Sequence, residues 1–368
     1  MPVEYDYLVV GAGLYGSVFA HEVAKKGKRC LVIDKRDHSG GNIFSKNMEG
    51  IHVHWYGAHI FHTNSPEIWS YVNKLVPFRP YIHSPRAFYK GKYYSLPFNM
   101  NTFHEIWGVN SETEAKNIIS KQIHESGIKN PRNLEEQTIA LVGRDIFELL
   151  VKGYSEKQWG KPSSELPAFL VKRLPLRFTF DNNYYSDKYQ GLPEGGYNKL
   201  TEALLQGIEV KLNADYFTDR EHWNAQAKKI IFTGKTDEFY NYQFGQLGYR
   251  SLRFEHEVKN QPVFQPAAVI NYTDADVPYT RTIEHKYLDN VVTPNTVVSR
   301  EYPEVYTGKN EPFYPVNDEG NAKVFKAYQH LASKEEAVIF GGRLAEFRYY
   351  DMHQVIAAAL VRSRQEPD

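Results

Sequence analysis

Polar and apolar positions along the chain fall into three rhythms. The first is a compact apolar run, Tyr5-Asp6-Tyr7-Leu8-Val9-Val10, of the kind that forms a buried parallel strand. Residues 17–26 then carry apolar side chains at helical spacing and stop at Gly27, and Arg29-Cys30-Leu31-Val32-Ile33 reads as a second strand ending on Asp34. The same grammar returns late. A helix is expected after Gly195-Gly196-Tyr197, through Leu200, Ala203 and Leu204 to Gly207, with strands at 208–212, 229–232 and 337–340 and a last helix from about Asp351. The second rhythm is purely helical. Ser65 and Pro66 open a helix with the stripe Ile68, Val72 and Leu75, and Ser111 with Glu114 forms a capping box for a helix ending at Gly127. Asn133 with Glu136 caps another, running to about Gly143, and a further helix from Asp145 is expected to end near Gly153. The third rhythm alternates. Residues 78–97 are strand-like, and 239–314 carry strands at 263–272, 279–285 and 291–300 with no helix between them, which predicts an antiparallel sheet.

Between the first strand and helix lies Gly11-Ala12-Gly13-Leu14-Tyr15-Gly16. Gly11 permits the tight turn, Gly13 lets a pyrophosphate approach the backbone, and Gly16 lets helix and strand pack closely. The helix N-terminus offers N–H groups and a positive dipole end to phosphates, and Asp34 stands where a carboxylate accepts ribose hydroxyls. Alone the glycines mark an ordinary turn; set between strand and helix, they predict dinucleotide binding. A second pair, Gly40-Gly41-Asn42, resembles the extended fingerprint of FAD-binding proteins with a glutathione-reductase-like Rossmann domain; otherwise it is a simple loop.

The fold expected is therefore α/β: an FAD-binding Rossmann-like domain with an inserted helical domain and an antiparallel β-sheet domain. Residues 1–77, 195–240 and 315–368 are assigned to the discontinuous first domain, 98–173 to the helical substrate-binding or lid domain, and 78–97, 174–194 and 241–314 to the sheet domain.

Composition narrows the function. With 44 basic and 44 acidic residues in 368, no global field recruits nucleic acid. One cysteine, Cys30, lies in a strand expected to be buried, so there is no disulfide framework. No signal peptide precedes the first strand and no apolar run approaches a membrane span, so a cytoplasmic protein without membrane insertion is expected. The 27 tyrosines are mostly packing residues, yet they also suit a site that stacks on rings and bonds hydroxyls.

Candidate chemistry is scattered. His52, His54, His59 and His62 lie close together, but no cysteine or carboxylate completes a metal set; two read as structural and His59, in Gly57-Ala58-His59-Ile60-Phe61, as near the cofactor. Arg173 and Arg281 are flanked by apolar or tyrosine residues and read either as surface ion pairs or as a clamp on phosphate. Tyr154, Gln158 and Trp159 lie between Gly153 and Gly160, in a hinged loop whose tryptophan either closes over a ligand or is buried between domains. Gly341-Gly342-Arg343, before Tyr349-Tyr350-Asp351-Met352, would place a helix N-terminus against an isoalloxazine. No Ser-His-Asp order, close acid pair or zinc signature is present, so the cofactor carries the hard step.

Gly57 to Thr63, Leu96 to Phe103, Gly153 to Trp159, Arg173 to Tyr184 and Gly341 to Gln354 closely resemble bacterial UDP-galactopyranose mutases. The resemblance covers essentially the whole chain. It implies a redox-neutral isomerase that interconverts UDP-galactopyranose and UDP-galactofuranose for cell-surface glycans, through an adduct of the sugar's anomeric carbon to N5 of reduced FAD. NAD(P)H or another reductant would supply electrons, and a homodimer is expected. A flavin oxidase or oxygenase, or a non-catalytic UDP-sugar-binding flavoprotein, is the alternative. Arg173 and Arg281 would hold the diphosphate, Tyr154 and Gln158 the uracil, with Trp159 on the lid. Tyr184, Tyr185, Tyr314 and Tyr349 would bond phosphate or ribose, with Asn271, Glu301 and Asp351 in the pocket. His83 departs from the asparagine of the family pattern. His59 and Arg343 would lie beside the flavin and act with the two arginines in the reaction. Around FAD are expected Gly11, Gly13, Leu14, Gly16, Asp34, Lys35, Gly41, Asn42, His59, Ile60, Asp215, Tyr216, Thr233, Gly234, Gly342, Arg343, Tyr350, Asp351, Met352 and Val355.

Overall fold

The computed structural model describes residues 4–171 and 175–367. The apolar run Tyr5–Val10 is the middle strand of a five-stranded parallel sheet, between Cys30–Ile33 on one side and Ala227–Phe232 on the other. Glu209–Lys211 and Val338–Phe340 form its edges. Leu8, Val9, Leu31, Val32 and Ile33 are fully buried, as strands covered on both faces require. Helix Leu14–Lys25 covers one face together with Tyr197–Leu205 and Met352–Gln365, burying Val18, Phe19 and Val23. Tyr216, Phe232 and Phe239 pack on the other.

A seven-stranded sheet lies against this layer. Its spatial order is Tyr314–Pro315, Tyr249–Lys259, Thr296–Val305, Arg281–Glu284, Val269–Tyr272, Arg86–Tyr89 and Lys92–Ser95. All its pairings are antiparallel except that of Val269–Tyr272 with Arg86–Tyr89, which is parallel. Two of the expected strands begin late, at Val269 and Thr296, because Pro266 and Pro294 have no N–H to give a ladder. The second of these runs on to Val305 to pair with Tyr249–Lys259, whose length the alternation did not single out.

The helical part follows its caps. Ser65 Oγ accepts from Ile68 N at the head of Pro66–Leu75, Ser111 and Glu114 close the box on Glu112–Ser126, and Asn133 caps Leu134–Val142. Short helices at Arg220–Gln226 and His285–Asp289 were not expected, the latter standing between two strands of the sheet where none was foreseen, and two longer elements also differ. The helix beginning at Arg144 does not stop at Gly153: it widens into a π turn over Phe147–Val151 and resumes as Lys152–Trp159. The expected hinged loop is therefore helix. The second difference is Glu319–Ala332, capped by Asp318, a helix whose apolar stripe is too thin to stand out.

Candidate active site

At the C-terminal ends of the parallel strands, facing the seven-stranded sheet, lies a cavity of about 840 Å³. That is near the top of the range of roughly 300–1,000 Å³ usual for small-molecule sites. All twenty residues expected around FAD line it. The glycine turns make its floor by close approach. A Cβ on Gly11 would sit 2.0 Å from Thr233 Oγ1, one on Gly16 would sit 2.1 Å from the Gly11 carbonyl oxygen, and one on Gly41 would press on Gly13 Cα at 3.0 Å. The first-turn N–H groups of Leu14–Lys25 have no partner within the helix, the arrangement that suits a phosphate. Asp34 accepts from Ala12 N at 2.8 Å and from Arg36 N at 2.9 Å. Each carboxylate oxygen keeps a further lone pair for a ribose hydroxyl. This cradle fits a dinucleotide.

The other end of the cavity is lined by Tyr184, Tyr185, Arg281, Glu301, Tyr314, Tyr349 and Asp351. Between the two ends stand His59 and Arg343. The His59 ring donates Nδ1–H to the Gly57 carbonyl at 2.7 Å, and burial, helped by Arg343 and Arg281, pushes its pKa down to about 4. It is a neutral imidazole at pH 7. Burial also lowers Arg343, with Tyr314 and Tyr349 opposing. The N-terminus of Met352–Gln365 opens onto this stretch, with Asp351 as its cap.

Arg281 presents 31% of its side chain to the cavity while Glu301, 2% exposed, stands 3.7 Å behind it. Burial works against the guanidinium, and Glu301 with the surrounding tyrosines more than offsets it, holding its pKa well above the ordinary value. Tyr154 OH lies 2.6 Å from Arg281 Nη2. Asn271 pairs with Arg281 in register across the sheet, and its Oδ1, like Glu301 Oε1 and Gln158 Oε1, is buried without a partner. Of these, Glu301 lines the cavity, so its free oxygen is an acceptor that a polar ligand would complete.

Tyr154, Gln158, Asn271 and His83 stand behind the wall rather than in it. His83 packs edge-on to Tyr184 and stacks near Tyr185, and burial pushes its pKa down to about 3. Trp159 packs against the core of the helical part, at the end of its helix, and not on the cavity. Arg173 lies outside the described residues. His52 and His54 are structural: His52 bonds Asp289, and His54, 6% exposed, accepts from His59 N.

Two pairs lining the cavity were not anticipated. His62 stacks on Tyr185 and bonds Asp187 through Nδ1 at 2.5 Å, and Arg36 pairs with Glu311 at 3.0 Å across the cofactor end. Their partners lie 125 and 275 residues away, beyond any local pattern. Donor atoms of His62, Asp351 and His353 also fall within 4.8 Å of one another, bringing the histidine run the carboxylate it lacked in sequence. The positive end of a 14-residue helix at Asp351 opposes a cation there.

Comparison with known proteins agrees with this geometry. The profile of the UDP-galactopyranose mutase family matches residues 149–349, and that of an NAD(P)-binding Rossmann-like domain matches residues 9–75. A Klebsiella pneumoniae protein described as a probable UDP-galactopyranose mutase is 38% identical over 96% of this chain and 93% of its own. An Escherichia coli dTDP-fucopyranose mutase is 36% identical over 96% of each. The crystal structure of a reduced UDP-galactopyranose mutase superimposes with a TM-score of 0.74 at 15% identity, over 98% of this chain and 93% of that one, a likeness of fold. With a family profile across more than half its length and relatives of this identity end to end, the chain belongs to the UDP-galactopyranose mutase family.

Proposed function

We propose that this protein interconverts UDP-galactopyranose and UDP-galactofuranose, with FAD seated on the two glycine turns. The observation that carries the reading is the placement of Arg281, with Tyr154 and Glu301 behind it, at the far end of the cavity that the dinucleotide turns begin. When bound and reduced, the flavin supplies the nucleophile for the anomeric carbon. The chain's own tasks are then binding and exclusion. Arg281 forks onto the diphosphate and stabilises the negative charge that accumulates as the sugar–phosphate bond breaks. Tyr184, Tyr314 and Tyr349 offer hydroxyls beside it, and Tyr314 stacks on Tyr349 with ring centres 5.6 Å apart. His59, held neutral, adds no positive charge next to the reacting centre. The buried walls keep water from capturing an activated sugar.

A second reading has its own support. The dTDP-fucopyranose mutase of E. coli is almost as similar as the K. pneumoniae relative, so a dTDP-6-deoxysugar is the competing substrate. Dithionite-reduced protein incubated separately with UDP-galactose and dTDP-fucose decides between them by the furanose formed. Hydrogen peroxide without ring isomerisation would make the protein an oxidase, and UDP binding without turnover would make it a sensor.

A further inference from the structure

The helix Lys152–Trp159 carries a lysine that takes no part in the site described above. Lys157 Nζ donates to four backbone carbonyls, those of Tyr272 at 2.9 Å, Asp274 at 2.8 Å, Val277 at 2.9 Å and Tyr279 at 3.1 Å. All four belong to one stretch, the turn joining Val269–Tyr272 to Arg281–Glu284. An ammonium has three protons, so one is shared, and the arrangement is that of a cation in a carbonyl cage. Without it, four negative dipole ends would face one another. The same turn is fixed to the same helical region twice more. Thr273 Oγ1 donates to the Leu149 carbonyl at 2.7 Å, and the helix lies so close that a Cβ on Gly153 would sit 2.2 Å from the Thr273 carbonyl oxygen.

The turn ends at Arg281. Tyr272 N bonds Thr280 O at 2.8 Å, so the cage adjoins the first residue of the arginine's strand. The Arg281 side chain meanwhile returns to Tyr154 on that helix. The arginine is thus tied to one helix through its backbone and through its guanidinium. We propose that Lys157 is a positioning residue for Arg281: its ammonium makes the helix and the turn one body, so that Tyr154, from behind, holds Arg281 toward the ligand in fixed register. The inference rests on the proposed role of Arg281 as the diphosphate grip.

The test is UDP affinity in the flavin-loaded protein. Lys157→Ala is expected to weaken UDP binding about tenfold, a shift of one such hydrogen-bonded arrangement, with bound flavin and its absorbance spectrum unchanged. Ammonium or methylammonium chloride is expected to restore most of that loss by refilling the cage, and sodium chloride at equal ionic strength is not. Unchanged UDP affinity overturns the proposal, and so does a loss that ammonium cannot repair in a variant that still holds flavin. Hydrogen exchange on the wild-type protein tests it without any substitution. Amides of 273–280 and 152–159 are expected to become protected in step when UDP binds, and independent exchange of the two overturns the idea. If the wild-type protein does not bind UDP at all, the reading of Arg281 fails and not the role of Lys157.

Discussion

Tyr154 OH lies 2.6 Å from Arg281 Nη2, joining residues 127 positions apart in the chain. The bond occupies Nη2, and Glu301 comes only to 3.7 Å of Nη1, so the guanidinium fork keeps donors for a ligand. Arg281→Ala is therefore expected to abolish turnover with flavin retained, since the cofactor turns lie at the other end of the cavity. Tyr154→Phe should raise KM by about tenfold, the worth of one hydrogen bond to a charged group at roughly 1.5 kcal/mol. Steady-state kinetics beside the flavin spectrum checks both; loss of yellow colour in Arg281→Ala would move that residue out of the substrate end.

Gly153 tests the contact between helix and turn. A methyl group there meets the Thr273 carbonyl oxygen at 2.2 Å, and backbone faces it on that side. Gly153→Ala should cost about 1–3 kcal/mol, as overpacking does, read as a lower denaturation midpoint with UDP affinity reduced alongside it.

At the cofactor end the corresponding position is Gly16, where a methyl would lie 2.1 Å from the Gly11 carbonyl oxygen. Gly16→Ala should yield a protein purified with little flavin. Full flavin occupancy in a folded Gly16→Ala protein would show that the turn does not carry the cofactor.

His52 and Asp289 give a pH dependence. The bond from Asp289 raises the His52 pKa above 6.5. Burial works against the Asp289 carboxylate, but its bonds from the His52 ring and backbone outweigh that and hold its pKa below 3.8. The histidine's contribution is complete below 6.5 and is lost as pH rises through its folded value. The carboxylate's is present above 3.8 and is lost as pH falls through its folded value. Asp289→Asn should therefore cost about 1 kcal/mol more at pH 5.5 than at pH 8.5, measured by urea unfolding at the two pH values.

The cofactor end was legible because its signal is local. The strand, turn, helix and closing acid occupy residues 5–34 in sequence order, and the spacing of Gly11, Gly13 and Gly16 names their tasks. Arg281 was visible as a cation among apolar and tyrosine neighbours, but Glu301 and Tyr154 reach it only through strand register and a helix from another part of the chain. The segment 153–160 is helix rather than the expected loop for a physical reason. Glycine usually ends a helix, yet Gly153 is in mid-helix so that the Thr273 carbonyl can come close. His62–Asp187 and Arg36–Glu311 had no pattern to betray them, because each is made by folding alone.

The parallel sheet draws strands from both ends of the chain, with Tyr5–Val10 flanked by Ala227–Phe232 and then by Val338–Phe340. A nascent polypeptide that has reached Gln226 owns three of the five strands, but one edge of its central strand is bare. The longest-range pairing, Tyr5–Val10 with Ala227–Phe232, must wait for Ala227 to be made, and the layer closes only when Val338–Phe340 joins it. Chaperone dependence during expression, more than marginal stability afterwards, is where this topology should be felt.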